Sequence, residues 1–331
     1  MKAWEIGNGT LGLHDVAPAH PPAGHTVIRV SHTGICGSDV PKLLSPSRFP
    51  LPEPWRPGHE IVGTDPTGLS VAVDPLLPCG TCRQCVTGDS HLCPGLRRLG
   101  WDLPGGFAEQ VVIPATNAHP VPAGADPLRA ALADPAAVAI HGLRCNRVGT
   151  PGGLAVIGAG TVGLLTALYA YEKGWEVTVV HRDGHAPREA LTKPMPATFC
   201  SPATLHERGN FDLVVDAATG ADPAPLNLAL RLVRDGGTVI VQNAYHPSVR
   251  LPAPLRDLFR RSLRLIGSFS HCRRHPGDFA LALDLLSRHA IRAAQLAACA
   301  GGLADLPAVL SERVARSVRP VLCSESSPCG R

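Results

Sequence analysis

One stretch near the middle of the chain restricts the possible folds more than any other. The apolar run Leu154–Ile157 is followed at once by residues 158–163, Gly-Ala-Gly-Thr-Val-Gly, and then by a helical segment that ends near Gly174. A second apolar run, Val177–Val180, comes next. Glycines between a strand and a helix allow a tight turn and let a pyrophosphate approach the helix N-terminus. This order predicts a dinucleotide-binding Rossmann domain with a parallel sheet.

Later segments fit the same kind of domain. Apolar runs at residues 212–217, 238–241 and 264–267 predict further strands. The segment 182–210 is rich in proline and has little apolar periodicity, so only an abbreviated helix is expected there. The predicted cofactor-binding residues of the glycine turn and of the strand that ends beside it are Gly158, Gly160, Thr161, Val162, Gly163 and Ala217.

The end of the second predicted Rossmann strand bears on the choice of cofactor. An NAD enzyme places Asp or Glu there to accept hydrogen bonds from the ribose 2′-hydroxyl. This chain has His181 and Arg182, which can pair with a 2′-phosphate. Asp183 would serve NAD(H) if the turn were shifted, and a surface arginine without a ligand is the plain alternative. We predict a preference for NADP(H).

Four cysteines form the most specific motif in the sequence. Their spacing is Cys-x₂-Cys-x₂-Cys-x₇-Cys, on a polar stretch flanked by glycine and proline. Four thiolates on a tight loop are typical of a closed tetrahedral zinc site. An iron–sulfur cluster is a second interpretation, although the usual cluster spacings differ, and disulfides are a third. The predicted structural zinc ligands are Cys79, Cys82, Cys85 and Cys93.

Two short motifs before these cysteines offer ligands for another metal ion. Cys36 lies in Gly-Ile-Cys-Gly-Ser-Asp, and His59 lies in Pro-Gly-His-Glu after a proline-rich approach that cannot be helical. A catalytic zinc needs three protein ligands and an open position, and thiolate and imidazole suit it. Glu60 adds a carboxylate, Ser38 a hydroxyl, and Asp39 an acceptor for the outer N–H of His59. A buried cysteine beside an unrelated loop histidine is the alternative.

Charge and composition narrow the functional classes. The formal net charge is +4 over 331 residues, so neither a nucleic-acid nor a membrane partner is expected. No apolar run approaches the roughly 18 residues of a membrane helix, and the N-terminus lacks a signal-peptide pattern. The total of 11 cysteines is odd, which argues against a secreted disulfide scaffold. We therefore expect a cytoplasmic protein with two domains.

Together the motifs resemble those of the zinc-dependent medium-chain dehydrogenases and reductases over nearly the whole chain. The resemblance also includes Gly-Gly-Phe-Ala-Glu at residues 105–109, the pair Asp134–Pro135 and the segment 264–269. It is closest to the polyol and threonine dehydrogenase branch. Within that branch the chain is similar to cyclitol and aminocyclitol dehydrogenases of the 2-deoxy-scyllo-inosamine type, which belong to aminoglycoside biosynthesis.

This resemblance implies the fold class and the domain organisation. The expected class is α/β and β, with a GroES-like β domain and an inserted Rossmann domain that contains a doubly wound parallel sheet. The expected domains are a GroES-like catalytic domain with two zinc sites (1–145), a Rossmann domain (146–270), and a return to the catalytic domain with the C-terminal tail (271–331). The family places its active site in the cleft, and a homodimer or homotetramer is expected.

The resemblance also implies roles for individual residues around the predicted catalytic zinc. Cys36 and His59 match metal ligands, and Ser38 matches the hydroxyl that contacts the substrate oxygen and starts a proton relay. The third ligand is either Glu60 or Asp134, which is one methylene shorter than the family's glutamate. As a structural alternative, Asp134 is the N-cap of a helix.

The outer part of the relay must differ from that of the alcohol dehydrogenases. They continue it with a histidine at a position where this chain has Pro41. Lys42 is a candidate substitute, with an exposed lysine as the alternative. Trp55 and Trp101 are candidate walls of a substrate pocket, because an indole can lie against the apolar face of a sugar. Filling of the core is the alternative for both tryptophans.

We therefore predict an enzyme, a zinc-dependent oxidoreductase with two Zn²⁺ ions per chain. It is expected to transfer hydride between NADP(H) and a secondary alcohol or ketone on a sugar, cyclitol or aminocyclitol, in the reductive direction. Acidic side chains, including Asp102, Glu109 and Glu60, would favour an amino-substituted substrate. An NAD-dependent polyol dehydrogenase working oxidatively is one alternative. A non-catalytic cofactor-sensing or structural protein and a zinc-free reductase are the others.

Overall fold

The computed structural model describes residues 1–18, 20–144, 151–182, 195–205, 209–220, 222–246, 248–251, 255–289, 295–312 and 319–324. The chain divides into two compact units. Unit 1 comprises residues 1–134 and 272–331, and unit 2 comprises residues 135–271. Among the helices of the described residues, none combines the length and the apolar character that a membrane span requires.

Unit 1 is built mainly from antiparallel strands. Its largest sheet has the strand order β16-β17-β3-β4-β5-β9, and β8 also pairs with β3. The strands of unit 1 are β1 (Lys2–Gly7), β2 (Thr10–Asp15), β3 (His25–Gly34), β4 (Glu60–Thr64), β5 (Ser70–Val73), β6 (Leu76–Leu77), β7 (Arg97–Arg98), β8 (Gln110–Pro114), β9 (Ala118–Pro120), β16 (Ala297–Gly301) and β17 (Arg319–Cys323). Alternating apolar positions on β3, β4 and β8 fill the core of this sheet, as at Ile28, Ile61 and Ile113.

The helices of unit 1 are short. They are α1 (Val40–Leu44), α2 (Arg83–Val86), α3 (Pro127–Ala130), α8 (Asp278–Arg288) and α9 (Leu306–Glu312), and α4 (Ala133–Arg144) begins here and continues into unit 2. The 3₁₀ turns are Pro46–Arg48, Ser90–Leu92, Ala115–Asn117 and Leu303–Asp305. Pro41 lies in the first turn of α1, where the missing N–H of proline costs no helical hydrogen bond.

Unit 2 contains a six-stranded sheet with the order β12-β11-β10-β13-β14-β15, and every pair in it is parallel. Its strands are β10 (Gly153–Ile157), β11 (Glu176–Val180), β12 (Thr198–Cys200), β13 (Phe211–Asp216), β14 (Val233–Val241) and β15 (Arg264–Gly267). Its helices are α5 (Thr161–Glu172), α6 (Ala224–Leu232) and α7 (Leu255–Arg260), with a 3₁₀ turn at Pro202–Thr204. The central segments of the inner strands are apolar and buried, as at residues 154–157 and 213–215, which is typical of a parallel sheet.

The order of strands in unit 2 is that of a Rossmann domain, and the predicted fold class is confirmed. Each of the five predicted Rossmann strands is present, and four of them have bounds within one residue of those expected. The exception is β14, which begins at Val233 instead of Thr238. Within the segment 182–210, where an abbreviated helix is predicted, residues 183–194 and 206–208 lie outside the described residues, and the described part contains β12 and a 3₁₀ turn. Asp134 lies in the first turn of α4 rather than at its N-cap, since the helix begins at Ala133. The domain boundaries 145/146 and 270/271 remain a prediction.

Candidate metal centres and cofactor turn

The first predicted metal site forms where β3 ends and β4 begins. The two strands are antiparallel neighbours, with Gly34 opposite Glu60, so Cys36 just beyond β3 comes close to His59 just before β4. One ligand atom from each of Cys36, His59 and Glu60 lies within 4.8 Å of the other two. A Cβ on Gly34 would lie 2.2 Å from the Glu60 carboxylate, so only glycine leaves room for that side chain. We call Cys36, His59, Glu60 and the neighbouring Asp134 the catalytic cluster.

Two aspartates face the two nitrogens of the His59 ring. Oδ2 of Asp39, a fully buried side chain, lies 3.3 Å from Nδ1. Oδ2 of Asp134 lies 4.0 Å from Nε2. The two groups make no hydrogen bond of good geometry, but the negative charge of Asp39 favours a proton on Nδ1. Nε2 is then the lone-pair nitrogen, which is the tautomer that a metal ligand needs.

Sequence reasoning missed the partner of Glu60. Nε of Arg319, on β17, lies 3.2 Å from Glu60 Oε2, and both side chains are buried. Nη1 of the same arginine donates to the carbonyl of Ile35. Arg319 is far from the other residues in the sequence, and no pattern in its neighbourhood indicates the pairing. The register of β17 against β3 brings it there.

The charges of the cluster favour the thiolate of Cys36. Burial alone would raise the pKa of this thiol, but the charges of Arg319 and His59 outweigh burial and lower the pKa to about 6. Burial would lower the pKa of His59, yet the charges of Asp39 and Cys36 raise it well above the ordinary value. Burial raises the pKa of Glu60, against the opposing charge of Arg319. A cation at this position would hold all three ligands in the protonation states that metal binding requires.

Ser38 and Lys42 lie next to the cluster. The exposed hydroxyl of Ser38 donates to Cys36 Sγ at 3.3 Å. Lys42 is buried, with 7% of its surface exposed, so the exposed-lysine alternative is wrong. Its ammonium donates to the backbone carbonyl of Ser38 at 3.0 Å and lies 3.1 Å from the ring centroid of Trp101. The aromatic face compensates part of the lost hydration of the ammonium.

The two candidate tryptophans have different surroundings. Trp55 is 1% exposed, and its indole N–H donates to the carbonyl of Gly100, which fits the core-filling alternative. Trp101 is half-buried, and its ring centroid lies 6.2 Å from that of His59. Trp101 is therefore beside the catalytic cluster, and Lys42 covers its ring.

The four cysteines of the second predicted metal site also come together. One sulfur from each of Cys79, Cys82, Cys85 and Cys93 lies within 4.8 Å of the others, and we call this group the cysteine lobe. Backbone N–H groups donate to two of the sulfurs, from Cys82 to Cys79 Sγ and from Cys79 to Cys93 Sγ. Such donors, led by those of Thr81 and Cys82, lower the pKa of Cys79 to about 6. Four sulfurs at these separations fit one tetrahedral zinc ion.

In unit 2 the glycine turn follows β10 directly. Gly158 has φ +109°, and a Cβ there would lie 2.8 Å from the carbonyl of Ala217. A Cβ on Gly163 would lie 1.9 Å from the carbonyl of Gly158. Gly160 is the N-cap of α5, which begins at Thr161 and continues through Val162. The turn thus exposes the N-terminus of a 12-residue helix, which is a ready anion site.

The remaining predicted cofactor residues are at the carboxyl ends of two neighbouring strands. His181 and Arg182 come directly after β11, and neither is acidic. Asp183 is outside the described residues. Ala217 follows β13, and its N–H donates to Ile157 at the end of β10.

Sequence reasoning also missed a pair beside this edge, in which Asp216 is buried and Tyr245 is half-buried. The hydroxyl of Tyr245 donates to Asp216 Oδ2 at 2.6 Å, and the N–H of Ala218 donates to Oδ1. Burial raises the pKa of Asp216. The pair fixes the loop after β13, next to Gly158 and Ala217, and the strand pattern could not reveal it because Asp216 reads as a strand-end residue.

Comparisons with known proteins agree with this geometry. Residues 22–123 match the alcohol dehydrogenase GroES-like domain. The chain is 35% identical to D-altritol 5-dehydrogenase of Agrobacterium fabrum, over 83% of this chain and 86% of that protein. It is 28% identical to 2-dehydro-3-deoxy-L-galactonate 5-dehydrogenase of Pseudoalteromonas atlantica, over 92% and 93% of the two chains. The chain belongs to the family of zinc-dependent medium-chain dehydrogenases.

Solved structures of this family give the same result for the whole chain. A zinc-binding dehydrogenase from Sinorhizobium meliloti, solved with NADP bound, superposes with a TM-score of 0.85 and is 27% identical over 97% of this chain and 98% of that one. These comparisons confirm the predicted family and its polyol branch. The chain is therefore an oxidoreductase. The similarity to aminoglycoside enzymes remains untested.

Proposed function

We propose that this medium-chain dehydrogenase uses zinc and NADP(H) to interconvert a secondary alcohol and a ketone on a polyhydroxylated substrate, in the reductive direction. The observation that carries the proposal is the convergence of the Cys36, His59 and Glu60 ligand atoms within 4.8 Å. A thiolate, an imidazole and a carboxylate are the donor set of a catalytic rather than a structural zinc site. The domain division 1–145, 146–270 and 271–331 is part of the same proposal.

The residues of the catalytic cluster fit a zinc ion. Cys36, His59 and Glu60 would hold it, and Asp134 would be the next carboxylate, facing His59 Nε2. Glu60 has the ion pair with Arg319, but neither of its buried carboxylate oxygens accepts a hydrogen bond, which leaves lone pairs for a metal ion. Bound zinc would supply a Lewis acid for the oxygen of the reacting carbon.

The protein groups around the cluster each have a defined task in this proposal. Asp39 holds the proton of His59 on Nδ1 and so presents Nε2 as the ligand atom. The hydroxyl of Ser38 is exposed beside Cys36 and contacts the substrate oxygen, accepting or donating its proton. Arg319 balances the negative charge of Glu60 and Cys36. These groups orient the substrate and stabilise charge, and the nicotinamide supplies the hydride.

The cysteine lobe would hold a second zinc with a structural role. Its four sulfurs leave no open coordination position, so no substrate can reach that metal ion. We propose two zinc ions per chain.

The preference for NADP(H) rests on His181 and Arg182. Both follow β11, and no acidic side chain occupies either position to repel a 2′-phosphate. The Sinorhizobium meliloti structure, solved with NADP, supports this choice. A cofactor kept mostly reduced in cells favours reduction of the ketone.

Relatives support the substrate class. The names of two of them specify a sugar alcohol and a deoxy-sugar acid. Both are polyhydroxylated compounds, and we propose such a substrate for this chain. The aminocyclitol prediction gains no support from the acids on which it relied, because Asp102 pairs with Arg98, Glu60 with Arg319, and Glu109 with the N–H of Lys2.

The test is a reductase and dehydrogenase screen of the zinc-loaded enzyme with NADPH, NADH and their oxidised forms. The panel contains simple alcohols, linear polyols, sugar acids, cyclitols, amino sugars and the corresponding ketones. We expect turnover of polyhydroxylated compounds, fastest with NADPH and a ketone. Efficient turnover of simple aliphatic alcohols alone would contradict the substrate class, and a higher kcat/KM with NADH would contradict the cofactor.

A further inference from the structure

Lys42 has an environment that is unusual for a lysine. It lies on α1, 7% exposed, although lysine side chains are almost never buried without a charged partner. Its ammonium has three N–H donors, and one of them donates to the carbonyl of Ser38 at 3.0 Å. The ring of Trp101, with its centroid 3.1 Å away, covers part of the charge.

No carboxylate of the described residues pairs with this ammonium. The acids nearby have other partners. Asp102 pairs with Arg98 at 3.0 Å, and Glu60 pairs with Arg319. Asp39 is 3.3 Å from His59. Lys42 therefore has N–H donors that the described residues do not use, and no described side chain neutralises its positive charge at close range. A buried charge in this state costs free energy unless another group pairs with it.

A second cationic side chain, already paired with Asp102, lies on the same indole. The guanidinium carbon of Arg98 lies 4.8 Å from the centroid of Trp101, so the same indole carries Lys42 and Arg98. Burial is the main reason why the pKa of Lys42 is lowered to about 8. The charges of Asp39 and Cys36 oppose this decrease, and the charge of Arg98 contributes to it. The ammonium is still largely charged at neutral pH. A cationic substrate would be repelled here.

The position of Lys42 links it to the reacting atoms. The carbonyl of Ser38 accepts from Lys42, and the hydroxyl of the same residue is exposed beside Cys36. Trp101 lies beside His59, with 6.2 Å between the ring centroids. A group that Lys42 binds would thus be attached to a carbon close to the one that reacts.

We propose that Lys42 binds an oxyanion of the substrate, so that the enzyme prefers a polyhydroxylated acid or a sugar-alcohol phosphate to a neutral or amino-substituted polyol. This inference rests on the proposed function, because it places the reacting oxygen at the catalytic cluster. Carboxylate and phosphate share the chemistry that an ammonium recognises: charged oxygens that accept strong hydrogen bonds. In this account the ammonium of Lys42 sets the charge preference for the substrate.

The first test compares substrates that differ only in charge. Neutral polyols, aldonates, polyol phosphates and aminodeoxy polyols of the gluco, galacto, manno and altro series are assayed with the zinc-loaded enzyme. We expect kcat/KM to be about 10- to 100-fold higher for an acid or a phosphate than for the matching polyol, with the amino compound lowest. The better of the two acidic classes identifies the source of the oxyanion.

Variants separate a specific role from a structural one. Lys42→Met should reduce the preference for the acidic substrate to about one, and because both substrates are measured in the same variant, any loss of activity that they share cancels in this ratio. Lys42→Arg should retain part of the preference, and Lys173→Met, at an exposed lysine in unit 2, should retain all of it. A wild-type preference for neutral or amino substrates, or an unchanged preference in Lys42→Met, would overturn the proposal.

A second readout does not need turnover. The chain has four lysines, Lys2, Lys42, Lys173 and Lys193, so the zinc-loaded enzyme labelled with ¹³C at lysine Cε gives few signals, and Lys42→Arg assigns the one from Lys42. Gluconate and inorganic phosphate should shift this signal, and sorbitol should not. A shift without turnover of any compound would refute the proposed function but keep this inference. An unmoved Lys42 signal would overturn the inference whatever the turnover.

Discussion

The two predicted metal centres differ in how the fold brings their donor atoms together. The cysteine lobe draws all four sulfurs from residues 79–93, on one partly exposed loop. The catalytic cluster draws on Cys36, on His59 with Glu60, and on Asp134, from separate segments that the sheet of unit 1 unites. The lobe is thus a local structure that its metal would stabilise, whereas the cluster is a half-buried site that the surrounding fold assembles.

The surroundings of the two centres differ as well. Backbone N–H groups donate to sulfurs of the lobe. In the catalytic cluster, charged side chains lie beside the predicted ligands instead: Asp39 is beside His59, and Arg319 is beside Glu60. Charged neighbours tune ligands for chemistry, and backbone donors hold a closed site in shape. The predictions below separate these two roles.

The largest effect is expected from Cys36→Ser. Loss of a thiolate should remove the catalytic zinc and lower kcat/KM by about a thousandfold or more, since a Lewis acid contributes several kcal/mol to the stability of the transition state. The zinc content measured by elemental analysis should fall from two ions per chain to one, and the melting temperature should be nearly unchanged. Cys200→Ser, at a half-buried cysteine of unit 2, is the control and should retain the wild-type kcat/KM and both zinc ions. An active variant with two zinc ions would refute the proposed role of Cys36.

Cys82→Ser should have the opposite pattern. The lobe should lose its zinc, and the melting temperature should fall by about 10 °C, because metal binding at a closed site contributes directly to folding stability. The folded fraction should keep its activity per catalytic zinc within about threefold. Calorimetry and elemental analysis measure the two outcomes. A large loss of activity at unchanged stability would mean that the lobe takes part in the reaction.

Asp39→Asn tests the charged surroundings of the cluster. The zinc affinity of the catalytic cluster should fall about 10- to 100-fold, because an amide no longer stabilises the Nδ1–H tautomer of His59 as well. The lobe should keep its zinc. Competition with a chelator of known affinity gives the value. Asp102→Asn, at an exposed acid that pairs with Arg98, is the matched control, and equal affinities in the two variants would contradict the assigned role.

Arg182→Ala extends the comparison to unit 2. The ratio of kcat/KM for NADPH to that for NADH should fall about tenfold or more, since one charge-assisted hydrogen bond to the 2′-phosphate is lost. Both zinc ions should remain. Arg231→Ala, at an exposed arginine on α6, should leave the ratio as it is. A wild-type enzyme with a higher kcat/KM for NADH, and the same ratio in both variants, would contradict the proposed role of Arg182.

The smallest effect concerns pH and Lys42. Its pKa is lowered by burial from the ordinary 10.5 to about 8, so the ammonium is charged below this pH and neutral above it. Asp39, Cys36 and Arg98 are the charged groups that act on it. The KM of an acidic substrate should therefore rise by several-fold between pH 7 and pH 9 relative to that of the matching neutral polyol. Lys42→Arg should abolish this rise, because arginine stays charged over the whole range.

The parts of the fold that follow from local spacing could be predicted from the sequence. Strand, glycine turn and helix are adjacent in the chain, and so are the four cysteines, so their geometry needs no knowledge of distant contacts. The parts that depend on strand register could not be predicted. Arg319 meets Glu60 only because β17 pairs with β3, and Tyr245 meets Asp216 only through the course of the chain after β14.

Lys42 shows the same limit at a single side chain. An exposed lysine was the alternative to a relay role in the sequence analysis, because most lysines are exposed. Trp101 lies in the loop after β7, and the sequence contains no signal that its ring would cover the ammonium of Lys42. A side chain buried by a distant loop cannot be recognised from its neighbours in the sequence.

The most direct test of the account is the zinc content of the purified enzyme during a brief chelation, with NADPH-dependent reduction of a polyhydroxylated ketone measured on the same samples. The account predicts two zinc ions per chain at the start. One of them should leave first, together with the activity, while the protein stays folded, and added Zn²⁺ should restore both. Full activity in a sample from which the first zinc has gone, or a single zinc held by the cysteine lobe in the fully active enzyme, would contradict it.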